Sequence, residues 1–247
     1  GRAQGEGVNR VRWAVYGWNL FMLSGIGFLL SLALTGFWIK TGCKWGMLDL
    51  PRERRVHSIS RPFSGGLAIF TAFSMTLVLT GGFSFPYLAP ILSGGILILT
   101  LGFFDDKYDL SAGFKVLVQL AIATFITYAG VRVQYLTNPF GEMIALGWVG
   151  YPLTVLWLLV TINIINLIDG LDGLAAGISA IAGVSLLIIG IGLGQSAAVF
   201  LCAILIGVLL GFLPYNFYPA RIFMGNSGAY FLGYILGVIS VMGALKL

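Results

Sequence analysis

Charged residues are scarce in this sequence, and their scarcity excludes a water-soluble globular domain. Lys, Arg, Asp and Glu make up 9% of the 247 residues, whereas soluble domains carry about 25%. Hydrophobic residues reach 58%, so too little polar surface remains to cover a globule in water. The composition therefore indicates an integral membrane protein.

Cysteine and histidine are almost absent as well. Cys43 and Cys202 form no metal-binding or redox spacing, so both are predicted to be unpaired. The single histidine is His57. No cleavable signal peptide is evident, and residues 1–12 look like a polar tail or a cloning remnant. Residues 13–247 are then predicted to form one transmembrane domain of catalytic type.

Apolar runs long enough to cross a bilayer recur along the rest of the chain. A membrane helix needs about 20 largely apolar residues, and runs of this length favour helices over barrel strands because each helix satisfies its own backbone hydrogen bonds. We therefore predict an all-α polytopic bundle with about eight transmembrane helices. The predicted spans are 18–39, 65–82, 87–104, 114–130, 151–168, 174–193, 197–213 and 228–245.

The charges that are present are unevenly divided between the two sides of this topology. Alternation places the segments 40–64, 105–113, 169–173 and 214–227 on one face. When the helix-end residue Lys115 is counted with them, this face has nine of the 14 basic residues and seven of the nine acids. Basic residues accumulate on the cytoplasmic side, so this face is predicted to be cytoplasmic and the N-terminus to lie outside. The 35 glycines suit close helix packing, and a homodimer through glycine-rich spans is compatible with them.

Three carboxylates end the third predicted span, in the sequence Asp-Asp-Lys-Tyr-Asp at 105–109. A helix C-terminus carries partial negative charge, so carboxylates there do not stabilise the helix. An ordinary solvated loop is one interpretation. The other is a cation site, because Mg²⁺ binds one or two carboxylates together with phosphate oxygens.

Polar residues recur every third position at the end of the fifth span: Asn163, Asn166, Asp169 and Asp172. Steps of three on a helix turn back about 60° around the axis, so the four form a spiral ridge. Gly170 and Gly173 are expected to open the helix beyond it. Asparagines alone could serve as glue between helices, but four polar residues exceed that need and favour a functional site.

Two further segments fall on the same face. Residues 214–228 carry Asn216, Phe223 and the pair Asn226–Ser227 at a helix N-terminus, which suits phosphate and base contacts or simple capping. The segment 49–66 is basic and includes His57 and Arg61. It either receives anionic substrates or contacts anionic lipids. Together the clusters indicate metal-assisted phosphate chemistry with one soluble and one lipid participant.

At these residues the chain resembles the polyprenyl-phosphate N-acetylhexosamine-1-phosphate transferase superfamily. It is most similar to the bacterial branch that uses undecaprenyl phosphate and UDP-GlcNAc, and the phospho-MurNAc-pentapeptide translocases are more distant. Four motifs match in order between residues 49 and 228: Asp-x-Pro…His…Pro-x-x-Gly-Gly, Asp-Asp-x-x-Asp, Asn-x-x-Asn-x-x-Asp-Gly-Leu-Asp-Gly-Leu-Ala, and Pro-Ala-x-Ile-Phe-Met-Gly.

The resemblance implies a reaction in a bacterial plasma membrane that starts cell-envelope polysaccharides. A polyprenyl phosphate attacks the β-phosphorus of a UDP-N-acetylhexosamine, UMP leaves, and Mg²⁺ is the cofactor; no nucleic acid takes part. The implied catalytic residues are Asp105, Asp106, Asp169 and Asp172. The implied substrate-binding residues are Asn163, Asn166, Gly170, Leu171, Asn216, Phe223, Lys115, His57 and Arg61.

The chain departs from the family pattern at two points. Asn226 stands where relatives have an aspartate that would bind Mg²⁺ beside Asp106, so we expect weaker metal binding and low activity. Relatives also continue with further spans and a histidine-containing loop after the region that ends here at Leu247. A non-catalytic lipid- or nucleotide-binding relative, or a partner subunit, therefore stays open. A one-step and a covalent mechanism are equally compatible with the sequence.

Other membrane proteins fit less well. Prenyltransferases of the aromatic-acceptor type pair two Asp-rich loops but lack the Asn-x-x-Asn-x-x-Asp ridge. CDP-alcohol phosphotransferases need an Ala-Arg pair after Asp-Gly, which is not present. Transporter sites lie near mid-membrane, whereas the polar residues here gather at one face.

Overall fold

A computed structural model describes residues 20–49, 60–81, 87–136 and 144–244. Within these ranges the chain forms eight α-helices and two very short hairpins. The helices are α1 Leu20–Lys44, α2 Gly65–Leu79, α3 Leu88–Tyr108, α4 Ala112–Tyr128, α5 Gly150–Ile168, α6 Leu174–Leu193, α7 Ser196–Asn216 and α8 Gly225–Ala244. The strands are β1 Leu48–Asp49 with β2 Arg61–Pro62, and β3 Tyr135–Leu136 with β4 Ile144–Ala145.

Each predicted span coincides with one of these helices, which confirms a polytopic, all-helical membrane protein. In the described part of the chain, six helices are long and apolar enough to cross a membrane. The helices α2 and α4 are apolar but shorter, with 15 and 17 residues. Eight complete crossings and an N-terminus on the outside therefore stay predictions.

The helix α8 lies at the centre of the bundle. It packs against α2, α3, α5, α6 and α7, and nearly all its residues are buried. The helix α1 packs on α7 and α2 at the side. Apolar side chains on α4, α5 and α6 point away from the bundle and are exposed, as expected for surfaces that face lipid.

Glycines permit the closest approach between α1 and α7. A Cβ at Gly207 would overlap the carbonyl oxygen of Ser24, and one at Gly211 would overlap that of Phe28. Ser24 Oγ also donates a hydrogen bond to the Ala203 carbonyl (2.8 Å). We call this contact between α1 and α7 the glycine seam; it shows that small residues pack the helices as the composition predicts.

Four helices extend further than the sequence predicts, and the first of them, α1, continues to Lys44, five residues beyond its predicted end. The helix α3 continues through the acids to Tyr108 and ends where Asp109 adopts a left-handed conformation (φ 52°). The helix α7 continues past Pro214 to Asn216, and α8 begins at Gly225. The predicted loop boundaries at 105, 214 and 227 are therefore wrong. The reason is tertiary: side chains from other helices bind the polar groups that would otherwise favour a loop.

Candidate active site

The structure brings the predicted motifs together at one end of the bundle. Residues of α3, α4, α5 and α8 join there through side-chain hydrogen bonds and an ion pair, although they are up to 125 positions apart in sequence. We call this group the polar cluster. Its members are Asp105, Asp106, Lys115, Gln119, Asn163, Asn166, Asn226 and Tyr230.

Asp105 is a buried carboxylate whose two oxygens are both engaged. Lys115 Nζ lies 3.0 Å from Oδ1 and 3.1 Å from Oδ2. Tyr230 donates its hydroxyl to Oδ2 (2.8 Å), and the Leu110 N–H donates to Oδ1 (3.0 Å). The Asp105 side chain is fully buried, whereas that of Lys115 is 23% exposed. The pair therefore fixes the ammonium of Lys115, while the Lys115 side chain stays partly exposed.

Asp106 caps the N-terminus of α8 from another helix. Its Oδ1 accepts the N–H of Asn226 (2.8 Å), and its Oδ2 accepts the N–H of Ser227 (3.1 Å). The first N–H groups of a helix have no partner within the helix, and a carboxylate there also matches the helix dipole. The interpretation of Asn226 or Ser227 as the N-cap is therefore wrong, because both lie within the first turn and Asp106 is the capping group.

Two glycines make this cap possible. A Cβ at Gly225 (φ +70°) would lie 2.7 Å from Asp106 Oδ2, and this left-handed conformation favours glycine. A Cβ at Gly102 would lie 2.5 Å from Ser227 N. The glycines therefore allow α3 and the start of α8 to touch.

The asparagines of the predicted ridge bind neighbouring helices. Asn166 donates from Nδ2 to Asn226 Oδ1 (2.8 Å). Asn163 donates from Nδ2 to Gln119 Oε1 (2.7 Å) and to the Leu159 carbonyl (2.8 Å). The ridge thus contacts α4 and α8, and only its first part is helical, because α5 ends at Ile168.

Asp169 sits at the C-terminal cap of α5, next to the cluster. No hydrogen-bond or ion-pair partner for its carboxylate occurs among the residues that the structure describes. Burial raises the pKa of Asp169 from 3.8 to about 7. The following residues Gly170 and Leu171 are exposed. The turn therefore presents an unpartnered carboxyl group beside an accessible backbone.

Asp172 and Asn216 hold the segment 217–224, which joins α7 to α8. Asp172 Oδ2 accepts the N–H of Ala220 (2.9 Å), and Asn216 donates from Nδ2 to the Ile222 carbonyl (2.9 Å). The Phe223 N–H donates to the Pro62 carbonyl (2.9 Å). These contacts join the third and fourth motifs to the β1–β2 hairpin.

The first motif is described only in part. Arg61 lies in β2 opposite Asp49, and its side chain is partly exposed near the segment 217–224. His57 lies outside the described residues. The structure therefore places Arg61 at this end of the bundle and leaves the position of His57 a prediction.

A few side-chain oxygen atoms in this region could coordinate a cation. In the described ranges, no three acidic, histidine or cysteine side chains converge on a metal site. Asp106 and Asn226 supply carboxylate and carboxamide oxygens on neighbouring helices. Asp169 follows Asn166 by one helical turn and is unpartnered within those ranges. This set suits a divalent cation that takes its remaining ligands from substrate phosphates.

Two members of the cluster were not predicted from the sequence. Gln119 and Tyr230 are buried and bind Asn163 and Asp105 respectively. Only their spacing from other polar residues on the same helix could have identified them. Gln119 follows Lys115 by four residues, and Tyr230 follows Asn226 by four, which places each pair on one helix face.

Comparison with known proteins agrees with this geometry. Residues 88–244 match the sequence model of glycosyl transferase family 4. The chain is 40% identical to the "probable undecaprenyl-phosphate N-acetylglucosaminyl 1-phosphate transferase" of Bacillus subtilis, over 90% of the chain and 62% of that protein. It is 35% identical to the "decaprenyl-phosphate N-acetylglucosaminephosphotransferase" of Mycolicibacterium smegmatis, over 87% and 58%.

A more distant group also aligns. The "phospho-N-acetylmuramoyl-pentapeptide-transferase" of Staphylococcus carnosus is 31% identical, over 90% of the chain and 76% of that protein. The chain spans 62% and 58% of the length of the first two relatives. The matched region contains the second, third and fourth motifs and every member of the polar cluster. The chain therefore belongs to glycosyl transferase family 4, in the superfamily of polyprenyl-phosphate sugar-1-phosphate transferases.

Proposed function

We propose that the chain forms the membrane core of an enzyme that transfers N-acetylglucosamine-1-phosphate from UDP-GlcNAc to undecaprenyl phosphate. An oxygen of the lipid phosphate attacks the β-phosphorus of the UDP-sugar. The bond from that phosphorus to the bridging oxygen breaks, and UMP leaves. The product is a polyprenyl-diphospho-sugar that primes a cell-envelope polysaccharide.

One observation supports this function above all. Three motifs that are far apart in sequence converge at one end of an apolar helical bundle. There Lys115 pairs with Asp105, and Asn226 binds both Asp106 and Asn166. A lipid and a water-soluble substrate can meet only at such an end. The names of the relatives support the substrate class. The distribution of basic residues favours a site on the cytoplasmic side of a bacterial plasma membrane.

Lys115 is proposed to bind a substrate phosphate. Its side chain is 23% exposed although Asp105 holds the ammonium, and an ammonium has three N–H donors, so one of them can serve an anionic oxygen. The carboxylate of Asp105 already accepts bonds from three residues. These contacts suit a role in orienting Lys115 better than one in removing a proton.

The turn after α5 is proposed to line the nucleotide side. Asp169, Gly170 and Leu171 are accessible there, and Asp172 holds the neighbouring segment 217–224 through the Ala220 N–H. Phe223 is only partly buried on that segment, and we propose, from the family resemblance, that its ring stacks on the base. Asn216 would shape this side indirectly, because its amide binds the Ile222 carbonyl.

Asp106 and Asn226 are proposed to hold Mg²⁺ together with the substrate diphosphate. A bound Mg²⁺ neutralises phosphate charge and polarises the attacked phosphorus. An asparagine keeps the oxygen donor but lacks the charge of the aspartate in relatives. Weak metal binding and low activity are therefore expected for this chain.

Asn226 also supports a second function. Asn226 is uncharged, and its Oδ1 already accepts a hydrogen bond from Asn166. Catalysis would favour a carboxylate at this position. A non-catalytic relative that binds lipid or nucleotide, or a partner subunit, would show this pattern. A homodimer is compatible with either function.

UMP release distinguishes the two functions. The purified protein and its Asn226→Asp variant are each incubated with undecaprenyl phosphate, UDP-GlcNAc and Mg²⁺. We expect the variant to release UMP at least about 10-fold faster, since one charge-assisted contact contributes roughly that much. A Gln134→Glu variant is the matched control, because it makes the same amide-to-carboxylate change in the partly exposed segment that follows the far end of α4.

Each outcome has a separate meaning. Faster UMP release by Asn226→Asp alone supports the transferase and assigns the low activity to Asn226. Inactivity of both proteins with retained UDP-GlcNAc binding favours the non-catalytic function. Neither turnover nor binding would contradict the proposed function as a whole.

A further inference from the structure

Gln119 lies deeper in the bundle than any other charged or amide side chain of α4. It follows Lys115 by one helical turn, so it is about 6 Å further from the polar end of α4. Its side chain is completely buried. Because the two residues share one helix face, α4 presents a cation and, behind it, a carboxamide.

The orientation of this carboxamide is fixed by its partner. Both hydrogens of Asn163 Nδ2 are used, one by the Leu159 carbonyl (2.8 Å) and one by Gln119 Oε1 (2.7 Å). If Gln119 were flipped, two NH₂ groups would face each other. If Asn163 were also flipped, its oxygen would face the Leu159 carbonyl. The network therefore requires that Gln119 keep its oxygen toward Asn163 and its Nε2 away.

Gln119 Nε2 finds no acceptor in the described part of the chain. A buried donor without a partner costs about 1–3 kcal/mol, and an apolar residue at this position would avoid that cost. The other buried polar atoms without partners in those ranges are hydroxyls of Ser and Thr on helices. A hydroxyl can turn to a carbonyl of the preceding helical turn, whereas Asn163 prevents Gln119 from turning.

The surroundings indicate which acceptor completes this site. Lys115 contributes a positive charge one turn away, on a side chain that is partly exposed, so an anionic oxygen is favoured over a neutral one. The adjacent surface of α4 is apolar and open to the lipid: Val116, Leu117 and Leu120 are 47%, 62% and 41% exposed. A phosphate with a long apolar chain matches both properties.

We propose that Gln119, oriented by Asn163, donates a hydrogen bond from Nε2 to the phosphate of the polyprenyl acceptor. Lys115 binds the same phosphate by charge, and the exposed side of α4 contacts the beginning of the lipid chain. This inference rests on the proposed transferase function and assigns the lipid side of its site. The nucleotide side lies at the turn after α5.

Binding to the purified protein in detergent tests the assignment without turnover. The ligands are undecaprenyl phosphate, inorganic phosphate as a competitor, and UDP-GlcNAc. Gln119→Met keeps the length and removes the amide. Gln119→Glu keeps an oxygen toward Asn163 and lacks the N–H donor, and binding is measured at high pH so that the carboxyl group is ionised. Gln195→Met is the matched control, because Gln195 is also buried but precedes α7 at the other end of the bundle.

We expect both Gln119 variants to bind undecaprenyl phosphate about 10-fold or more weakly, since a hydrogen bond to a charged group is lost. UDP-GlcNAc affinity should be unchanged, and Gln195→Met should change neither. Competition by inorganic phosphate would show that the phosphate group suffices. Its failure to compete would show that the lipid chain is also required; both results support the site.

Three results would overturn the inference. The first is equal lipid affinity in wild type and both Gln119 variants, with a shift only in the thermal unfolding temperature, which would mean a structural role. The second is an equal loss of lipid and UDP-GlcNAc binding, which would mean general damage. The third is a wild type that binds neither ligand, and only this result would contradict the proposed function as well.

Discussion

The glycine seam and the polar cluster both bring helices into close contact, but by different means. At the seam, α1 and α7 meet because Gly207 and Gly211 have no side chains, and a single Ser24 hydroxyl bonds across it. In the cluster, α3, α4, α5 and α8 meet through a buried ion pair and carboxamide bonds. Shape holds the first region, and charge and hydrogen bonding hold the second.

This difference predicts different responses to the same perturbations. Contacts made by close packing in a membrane depend on volume and are insensitive to pH, salt or divalent cations. Contacts between charged or polar groups depend on all three. The two regions can therefore be separated by measuring which variants change stability, and under which conditions.

The largest effect is expected in the polar cluster, from Lys115→Met. This change leaves Asp105 buried and unpaired, and breaking a buried pair costs about 3–5 kcal/mol; the partial exposure of Lys115 points to the lower value. Thermal unfolding in detergent measures the loss. Lys107→Met on the exposed side of α3 is the control, and an equal loss there would contradict the prediction.

At the glycine seam, Gly207→Ala should destabilise the protein by about 1–3 kcal/mol, as overpacking does in tightly packed interiors. A Cβ at this position overlaps the Ser24 carbonyl. The control is Gly25→Ala, because nothing lies within 4 Å of a Cβ there. The loss should be the same with and without Mg²⁺. Equal stability of the two variants would show that the seam can relax.

Asn226→Asp should make stability depend on Mg²⁺. A second carboxylate beside Asp106 is expected to lower the free energy of unfolding by about 1 kcal/mol in the absence of the cation. Added Mg²⁺ should reverse the loss, whereas Gly207→Ala should not respond. Unfolding temperatures at several Mg²⁺ concentrations measure this, and a variant indifferent to Mg²⁺ would remove Asp106 and residue 226 from the metal site.

A separate effect, on the pH dependence of stability, is expected from the titration of Asp169. Its pKa is raised to about 7 in the fold, so the folded state binds more protons than the unfolded state between about pH 4 and pH 7. Stability should therefore fall as pH rises through this range and then level off. Asp169→Asn should flatten the slope, and Asp109→Asn should not. A slope that survives in Asp169→Asn would assign it to another group.

Hydrophobicity was sufficient to predict the helices, because eight apolar runs separated by polar segments leave few alternatives. The acids at 105–109 and the asparagine ridge were also recognisable, because acids at a helix C-terminus and asparagines within an apolar run are unusual. The ends of α3, α7 and α8 were not predictable, since Asp106 stabilises the N-terminus of α8 from 120 residues away.

Gln119 shows the same limit most clearly. A single glutamine in an apolar helix has no sequence pattern, and its importance depends on Asn163, which lies 44 positions later in the chain. Tyr230 looks like an ordinary core aromatic until its hydroxyl is placed against Asp105. Residues whose role comes from a partner in another helix cannot be recognised from spacing within their own.

The capping of α8 by Asp106 also determines which ions can approach the site. The N-terminus of a helix carries about half a positive charge and commonly binds phosphate. Here the first N–H groups are already bound to a carboxylate, so a lone anion meets repulsion. An anion that arrives with a cation meets none. The end of α8 therefore disfavours a lone anion and favours a cation, or a phosphate that arrives with one.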